Sequence, residues 1–350
     1  MSAGLVAPAS AVDVVVRGRV RRGARRRVVV AVLAVAVVVL FAVTLMVGQT
    51  FYPPGDVLRV IAGEQVQGAS FTVGRLRLPR AVLAVVAGLC FGLAGTTFQT
   101  MLRNPLASPD VIGISTSAGA AAAVGIVLLG LSGTAVSTLA IGAALGVALL
   151  IYTLAFKDGV AGTRLILIGI GMAAMASSVT SYALSEAGSW DFQETLRWLN
   201  GSLNGTTWGA TVPALLALVL LGPVLLTQTR NLSALQLGDD TASALGVRVE
   251  RTRLLAIVAA VGLIAFATAA CGPIAFVSFL AGPIAARIIG PNGSLLVPAA
   301  LVGALLVLVA DLVGQFAFDT RFPVGVVTGV LGAPYLIYLI ARSHRTGGSL

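Results

Sequence analysis

The sequence predicts an all-α integral membrane protein, a polytopic bundle of about ten transmembrane helices with both termini in the cytoplasm. Three observations predict it. Of 350 residues, 57% are apolar and 10% charged, against about 45–50% and about 25% in soluble chains. Hydropathy resolves into separate apolar stretches, each near the ~20 residues that a bilayer span requires. The basic residues are divided unequally between alternate loops, as the positive-inside rule expects. The same composition excludes a disordered chain, a secreted disulfide scaffold and an ordinary soluble enzyme. The two cysteines, Cys90 and Cys271, fall in apolar stretches without C-x-x-C spacing, and the single histidine, His344, lies in the C-terminal tail. Neither a metal centre nor a histidine-based catalytic site is expected.

The elements follow in order. Arg17, Arg19, Arg21, Arg22, Arg25, Arg26 and Arg27 precede the first apolar stretch. Residues 1–27 therefore read as a basic cytoplasmic tail, and the net charge of +10 reads as a topology anchor, with no nucleic-acid partner. The stretch 28–47 is too long for a signal-peptide core. It is followed by Gly48-Gln-Thr-Phe-Tyr52, with no small-x-small cleavage site, so it reads as a retained span. Further spans are expected at 81–101, 111–131, 134–156, 164–185, 208–227, 254–271, 274–290, 295–316 and 324–341. The membrane domain thus covers 28–341, and 342–350 form a short cytoplasmic tail. On this arrangement only Arg59, Arg75, Arg77, Arg80, Arg197 and Arg321 lie outside, and the remaining basic residues in the loops lie inside. The span 274–290 is the least regular, because it carries Pro283 and Arg287.

The spans are rich in small residues. Ser117–Gly125 reads Ser-Ala-Gly-Ala-Ala-Ala-Ala-Val-Gly, and Gly142 and Gly146 form a G-x-x-x-G. Such faces let helix backbones approach closely, and some of them are candidates for lining a path. Asp311 is the clear acid within a span. It reads as alone in its helix, bonding a neighbouring helix or backbone. An intramembrane acid is also a candidate for coupling to an ion gradient, but one such group leaves the chain poorly equipped for ion-coupled transport.

Three loops carry more information. The outer segment Gly74-Arg-Leu-Arg-Leu-Pro-Arg80 places arginines against the positive-inside trend. Pro79 suits a first helical turn, and Arg77 and Arg80 share a face at i,i+3, a cationic rim fit for an acidic partner. The inner segment Arg103-Asn-Pro-Leu-Ala-Ser-Pro-Asp-Val-Ile-Gly113 is broken by its prolines. Asn104 and Asp110 are placed to satisfy backbone groups there, and the residues alone favour a turn over a gate. The longest inner loop, 230–253, contains Leu237-Gly-Asp-Asp-Thr-Ala-Ser-Ala-Leu-Gly246. Asp239 or Asp240 is a suitable N-cap and Gly246 a suitable stop. The short helix between them, carrying Ala242 and Leu245, needs a surface to pack on.

These motifs, in this order, resemble the FecCD family of ABC-importer permeases, which includes iron–siderophore and vitamin B12 permeases. The resemblance runs from about residue 55 to residue 341. It rests on Arg77-Leu-Pro-Arg80, Arg103-Asn-Pro-Leu-Ala107, Arg197-Trp-Leu-Asn-Gly-Ser-Leu203, Leu237–Gly246, Gly272-Pro-Ile-Ala-Phe-Val277 and Pro323-Val-Gly-Val-Val-Thr-Gly-Val-Leu-Gly-Ala-Pro334. It implies a permease subunit in the cytoplasmic membrane that pairs with a second permease chain, identical or different. Two cytosolic ABC ATPase subunits would bind below and an extracytoplasmic siderophore-binding protein above. The implied cargo is a ferric siderophore or similar large iron chelate, with vitamin B12 or haem as alternatives, and an ion-coupled secondary transporter as the rival class. The chain lacks a G-x-x-x-x-G-K-[ST] phosphate loop, so it is expected to be no enzyme and to hold no cofactor.

The resemblance also assigns residues. Arg77 and Arg80 match docking arginines for the binding protein. Leu237, Gly238, Asp239, Asp240, Ala242, Leu245 and Gly246 match the helix that couples to the ATPase. Asn104 and Leu106 match an inner gate, and Gly162 and Thr163 a second constriction. The chain departs from the family in two places. It reads Gly282-Pro-Ile-Ala-Ala-Arg287 where many members have Pro-His. In the last outer segment Gln315 falls near the third docking arginine, with Arg321 the expected substitute.

Overall fold

The computed structural model describes residues 11–110, 112–155, 162–290 and 293–345. These residues form helices joined by turns and loops, with no strand among them. Fourteen α-helices run in chain order: α1 Ala11–Met46, α2 Pro54–Ile61, α3 Leu78–Leu102, α4 Ile114–Val127, α5 Thr134–Ala155, α6 Gly162–Ser185, α7 Ser189–Leu199, α8 Trp208–Thr227, α9 Thr229–Leu235, α10 Asp239–Ala244, α11 Val249–Cys271, α12 Val277–Ile289, α13 Leu296–Phe316 and α14 Val324–Arg345. A π-helical segment, Ser70–Arg77, leads directly into α3. Among the described residues, seven helices are long and apolar enough to cross a membrane, and three more, 114–127, 277–289 and 324–338, are apolar but shorter.

Every expected span overlaps one of these helices, with differences that have physical causes. The arginine-bearing segment and the first span form one helix, α1, so no break falls at residue 27. Arginine and alanine are good helix formers, and Arg26 Nη2 donates to the Ser294 carbonyl at 2.7 Å. The expected span 111–131 shortens to α4 because Gly113 holds φ +84° and Gly130 φ +61°. The expected span 274–290 shortens to α12, whose entry is set by Phe276 in a left-handed conformation (φ 64°). At 1.5 Å per residue, helices of 13 or 14 residues reach only about 20 Å, so the chain breaks inside the membrane region at these points. Four elements are not anticipated by the sequence: α2, the π-helical segment, α7 and α9.

α3 is the central post. Almost every residue from Ala81 to Met101 is buried, and it packs on α13, α11, α12 and α8. Glycine makes this contact possible. A Cβ on Gly88 would lie 2.5 Å from the Gly303 carbonyl oxygen of α13, and one on Gly92 would meet the Ala299 carbonyl. The expected close-packing pair, Gly142 and Gly146, instead faces open space. The periphery is formed by α1, α5, α6, α8 and α14, which expose Val32, Leu149, Leu167, Leu220 and Val330. Backbone groups in hydrocarbon must be bonded within the helix, which these helices largely achieve while turning apolar faces outward, with internal prolines only at Pro213 and Pro223 of α8 and Pro334 of α14.

Candidate functional site

A cavity of about 830 Å³ lies among α4, α6 and the break before α12. Its walls are mainly apolar, with Leu199, Ile274, Phe276, Phe279 and Leu336. Hydroxyls of Ser108, Ser115, Thr116, Ser177, Thr180 and Ser181 and the carboxylate of Asp110 interrupt them. On α6 the hydroxyls bond back to their own helix, Thr180 to the Ala176 carbonyl and Ser181 to the Ser177 carbonyl, each at 3.0 Å. Their acceptor capacity remains open to the cavity. Asp110 is held from three sides. Its Oδ1 accepts from Ser115 at 2.5 Å, and its Oδ2 from Ser278 at 2.7 Å and Ser108 at 3.2 Å. Asp110 lies in a turn, as expected, and its carboxylate reaches Ser278 in the first turn of α12.

The scaffold behind the cavity is a meeting of three motif segments. The Ser202 amide donates to the Cys271 carbonyl at 2.7 Å, and the Gly325 amide to the Gly201 carbonyl at 3.1 Å. Gly201 (φ 67°) and Gly272 (φ 72°) are left-handed, and a side chain on either would strike Pro273 or Trp198 backbone. The segments 197–203, 272–277 and 323–334, distant in sequence, are thus joined backbone to backbone.

Taking the arginine-rich end of α1 as the inner side, residues 103–107 lie at the inner mouth. Leu106 lines both the large cavity and an inner cavity of about 470 Å³, and so stands between them. Asn104 sets its position: its Oδ1 accepts the Leu106 amide at 2.9 Å, and its carbonyl accepts the Ala107 amide at 3.0 Å. Gly162 and Thr163 open α6, but their side chains, like Lys157, lie outside the described residues.

At the other end, Arg77, Arg80, Gln315 and Arg321 line a polar cavity of about 500 Å³. Arg77 donates to the Leu45 and Met46 carbonyls, each at 3.0 Å, and to that of Thr50 at 2.7 Å, and lies over the Tyr52 ring at 5.1 Å. Its guanidinium thereby closes the C-terminal end of α1, where free carbonyls and the helix dipole favour a cation. Arg80 forks onto Asp311, Nη2 to Oδ1 at 2.7 Å and Nε to Oδ2 at 3.0 Å, with side-chain exposures of 15% and 0%. It also reaches Asn204 Oδ1 at 2.8 Å. Gln315 Nε2 completes the carboxylate at 2.7 Å. Asp311, the lone acid of its helix, therefore bonds a neighbouring helix, α3, as expected. Its partner was legible only as an outer arginine, because 231 residues separate the two. Arg321 is exposed and forms no ion pair among the described residues.

α10 is six residues long. Its N-cap is Gly238 (φ 110°), without a side-chain capping bond, so the expected capping by Asp239 or Asp240 is corrected. Asp239 faces two arginines instead: Arg103 Nη2 at 2.5 Å and Arg253 Nη2 at 2.8 Å. Gly246 (φ 83°) ends the helix, with the Val247 amide bonded to the Ala242 carbonyl at 3.0 Å. Ala242 is buried against the chain, whereas Leu237 and Leu245 are each 64% exposed. Among the described residues, no group of His, Cys, Asp or Glu is arranged to hold a metal ion.

An apolar helical bundle that encloses a hydroxyl-bearing cavity, with a further cavity toward each end, is arranged as a multi-pass membrane protein. The chain belongs to the FecCD transport family, whose model matches residues 35–342. It is 40% identical over 307 residues to the ferric enterobactin transport system permease protein FepG of Escherichia coli (strain K12), covering 87% of this chain and 90% of the relative. It is 33% identical to the cobalamin import system permease protein BtuC of Halobacterium salinarum, covering 78% of this chain and 74% of the relative. Its fold is similar, at TM-score 0.80 and 26% identity, to a metal-chelate type ABC transporter solved in an inward-facing conformation, covering 89% of this chain and 98% of that one. The chain is an ABC transporter permease of the metal-chelate and siderophore importer family and a multi-pass protein of the cytoplasmic membrane.

Proposed function

We propose that this chain is the transmembrane subunit of an importer for a ferric siderophore or a similar large iron chelate. It works beside a second permease chain, above two cytosolic ATPase subunits and below an extracytoplasmic binding protein. The observation that carries this reading is the cavity and the α6 face beside it. Ser177, Ser178, Ser181 and Ser185 are exposed on a helix that is long and apolar enough to cross the membrane. Hydroxyls turned toward lipid bring no gain, whereas a second permease would convert this face into the wall of a wet path. A cavity of this size suits a chelate more than a bare ion, and its mixed apolar and hydroxyl lining suits a bulky ligand shell.

The other assignments follow from placement. Leu237 and Leu245, exposed on a short helix at the inner side, suit a groove on the ATPase, which supplies ATP hydrolysis from a separate chain. Leu106, positioned by Asn104, is the inner gate, with Gly162 and Thr163 as a second constriction. Arg77, Arg80 and Arg321 rim the docking surface for an acidic face of the binding protein. Arg77 and Arg80 shape that rim through internal bonds, and exposed Arg321 presents its charge outward. Ion-coupled transport is disfavoured because Asp311, the acid it would use, is neutralised by Arg80. A cobalamin cargo is the second reading, favoured by the likeness to BtuC.

The test is uptake into proteoliposomes containing the complete transporter, with ATP inside, comparing ferric catecholate, ferric hydroxamate, haem and cobalamin. ATP-dependent accumulation of a ferric chelate is the expected result. Accumulation of cobalamin alone would move the assignment to the second reading. Uptake driven by a proton gradient without ATP would overturn both.

A further inference from the structure

We propose that Arg103 and Asp239 are a positioning pair through which displacement of α10 is delivered to the inner mouth. The inference rests on the permease reading above and adds the route by which the two sites are joined.

The geometry runs as one connected path. Asp239 opens α10, and its carboxylate holds Arg103 Nη2 at 2.5 Å. Arg103 Nε also donates to the Leu235 carbonyl, the last residue of α9, at 2.9 Å. The guanidinium is thus clamped between the two cytoplasmic helices. Arg103 is the C-cap of α3 and takes φ 51°, a conformation that a β-carbon disfavours by steric crowding. It is one of two non-glycine residues with positive φ among those described. The backbone then enters Asn104, Pro105 and Leu106 with no intervening residue. The Asn104 turn and the fixed φ of Pro105 make this stretch stiff, so a shift of Arg103 passes to Leu106 instead of being absorbed. At the far end of the same loop, Asp110 is tied to Ser115 of α4 and Ser278 of α12. The loop is therefore pinned at the cytoplasmic helix and at the cavity wall, with Leu106 between the pins.

Two features separate this role from mere structural support. Arg103 and Asp239 are each 42% exposed in their side chains, and exposed ion pairs contribute little to folding stability. Asp239 also keeps a second partner, Arg253 of α11 at 2.8 Å, so removing Arg103 does not leave its charge unpaired. Loss of the pair should thus spare the fold and α10 itself while cutting the link to the gate loop.

The experiment uses the assembled transporter with its ATPase in inside-out vesicles and needs no cargo. Leu106→Cys is labelled with a charged, membrane-impermeant thiol reagent, with and without ATP and vanadate. The native cysteines, Cys90 and Cys271, are both buried. ATP hydrolysis is measured in the same samples. In the Leu106→Cys background, ATP and vanadate should change the labelling rate. Adding Arg103→Gln or Asp239→Asn should reduce that change about tenfold, the scale of an ordinary coupling energy, and with Arg103→Gln, which lies outside the ATPase-coupling helix, hydrolysis should stay within about twofold. The double variant should be no worse than the worse single, because the two residues act as one link, and Arg103→Lys should restore part of the response. An ATP response that persists in both singles, or single losses that multiply in the double, would overturn the linkage alone. A background whose labelling ATP does not alter would overturn the gate assignment of Leu106 and the linkage with it.

Discussion

The two sides of the bundle are built differently. Where α3 meets α13, glycines bring the backbones together, Gly88 against Gly303 and Gly92 against Ala299, and a forked ion pair closes the outer end. Where α5 and α6 lie, Gly142, Gly146 and Gly171 meet nothing, and α6 leaves most of its length uncovered. The first side is complete within one chain. On the second, α6 carries hydroxyls, borders the cavity and is left largely uncovered by the chain. The contrast teaches that a small-residue pattern marks possible close approach, and that the tertiary arrangement decides whether the approach occurs within the chain.

The largest expected effect breaks the complete side at its charge. Arg80→Met leaves Asp311 buried without its cation and should cost about 3–5 kcal/mol, read as a lowered melting temperature in detergent. Adding Asp311→Leu should recover much of that loss, because replacing both partners removes the uncompensated charge. Next, Gly303→Val should cost about 1–3 kcal/mol or more by overpacking against α3, and be seen as reduced yield of folded protein. On the open side, Ser181→Leu should change stability by less than about 0.5 kcal/mol and yet lower chelate uptake several-fold, separating path from scaffold. The smallest effect is Gly142→Leu, again within about 0.5 kcal/mol in the isolated chain. If Gly142→Leu proves as damaging as Gly303→Val before any second permease is added, the comparison itself fails. On the outer rim, Arg321→Glu should weaken binding of the binding protein, and the wild-type affinity should fall with added salt because exposed charges are screened.

Much of the fold was legible because spans announce themselves by composition. The stretch 81–101 falls within α3 and 295–316 matches α13 to within a residue. What was not legible depended on conformation at single residues. Phe276 adopts φ 64°, and no propensity rule asks a phenylalanine to do so; it shortened the expected 274–290 span. At the site, Arg77 and Arg80 were visible as outer arginines breaking the charge rule. Their acceptors were not, since the Leu45 carbonyl and Asp311 lie 32 and 231 residues away. The Asp239 carboxylate, read as a helix cap, instead serves two arginines from α3 and α11. A capping rule considers only the four orphan amides of its own helix and cannot register a stronger cationic partner arriving from elsewhere.

The sequence by itself determined that this is a multi-pass α-helical membrane protein, where its spans lie, and, through six ordered motifs, the family to which it belongs. Those properties follow from local hydropathy and short-range patterns, which need no knowledge of neighbours. The tertiary structure alone decided which glycines touch, which acid neutralises which arginine, where the cavity opens, and that Leu106 stands between two cavities. Each of these depends on distances between residues far apart in the chain, and those distances are set only when the helices pack.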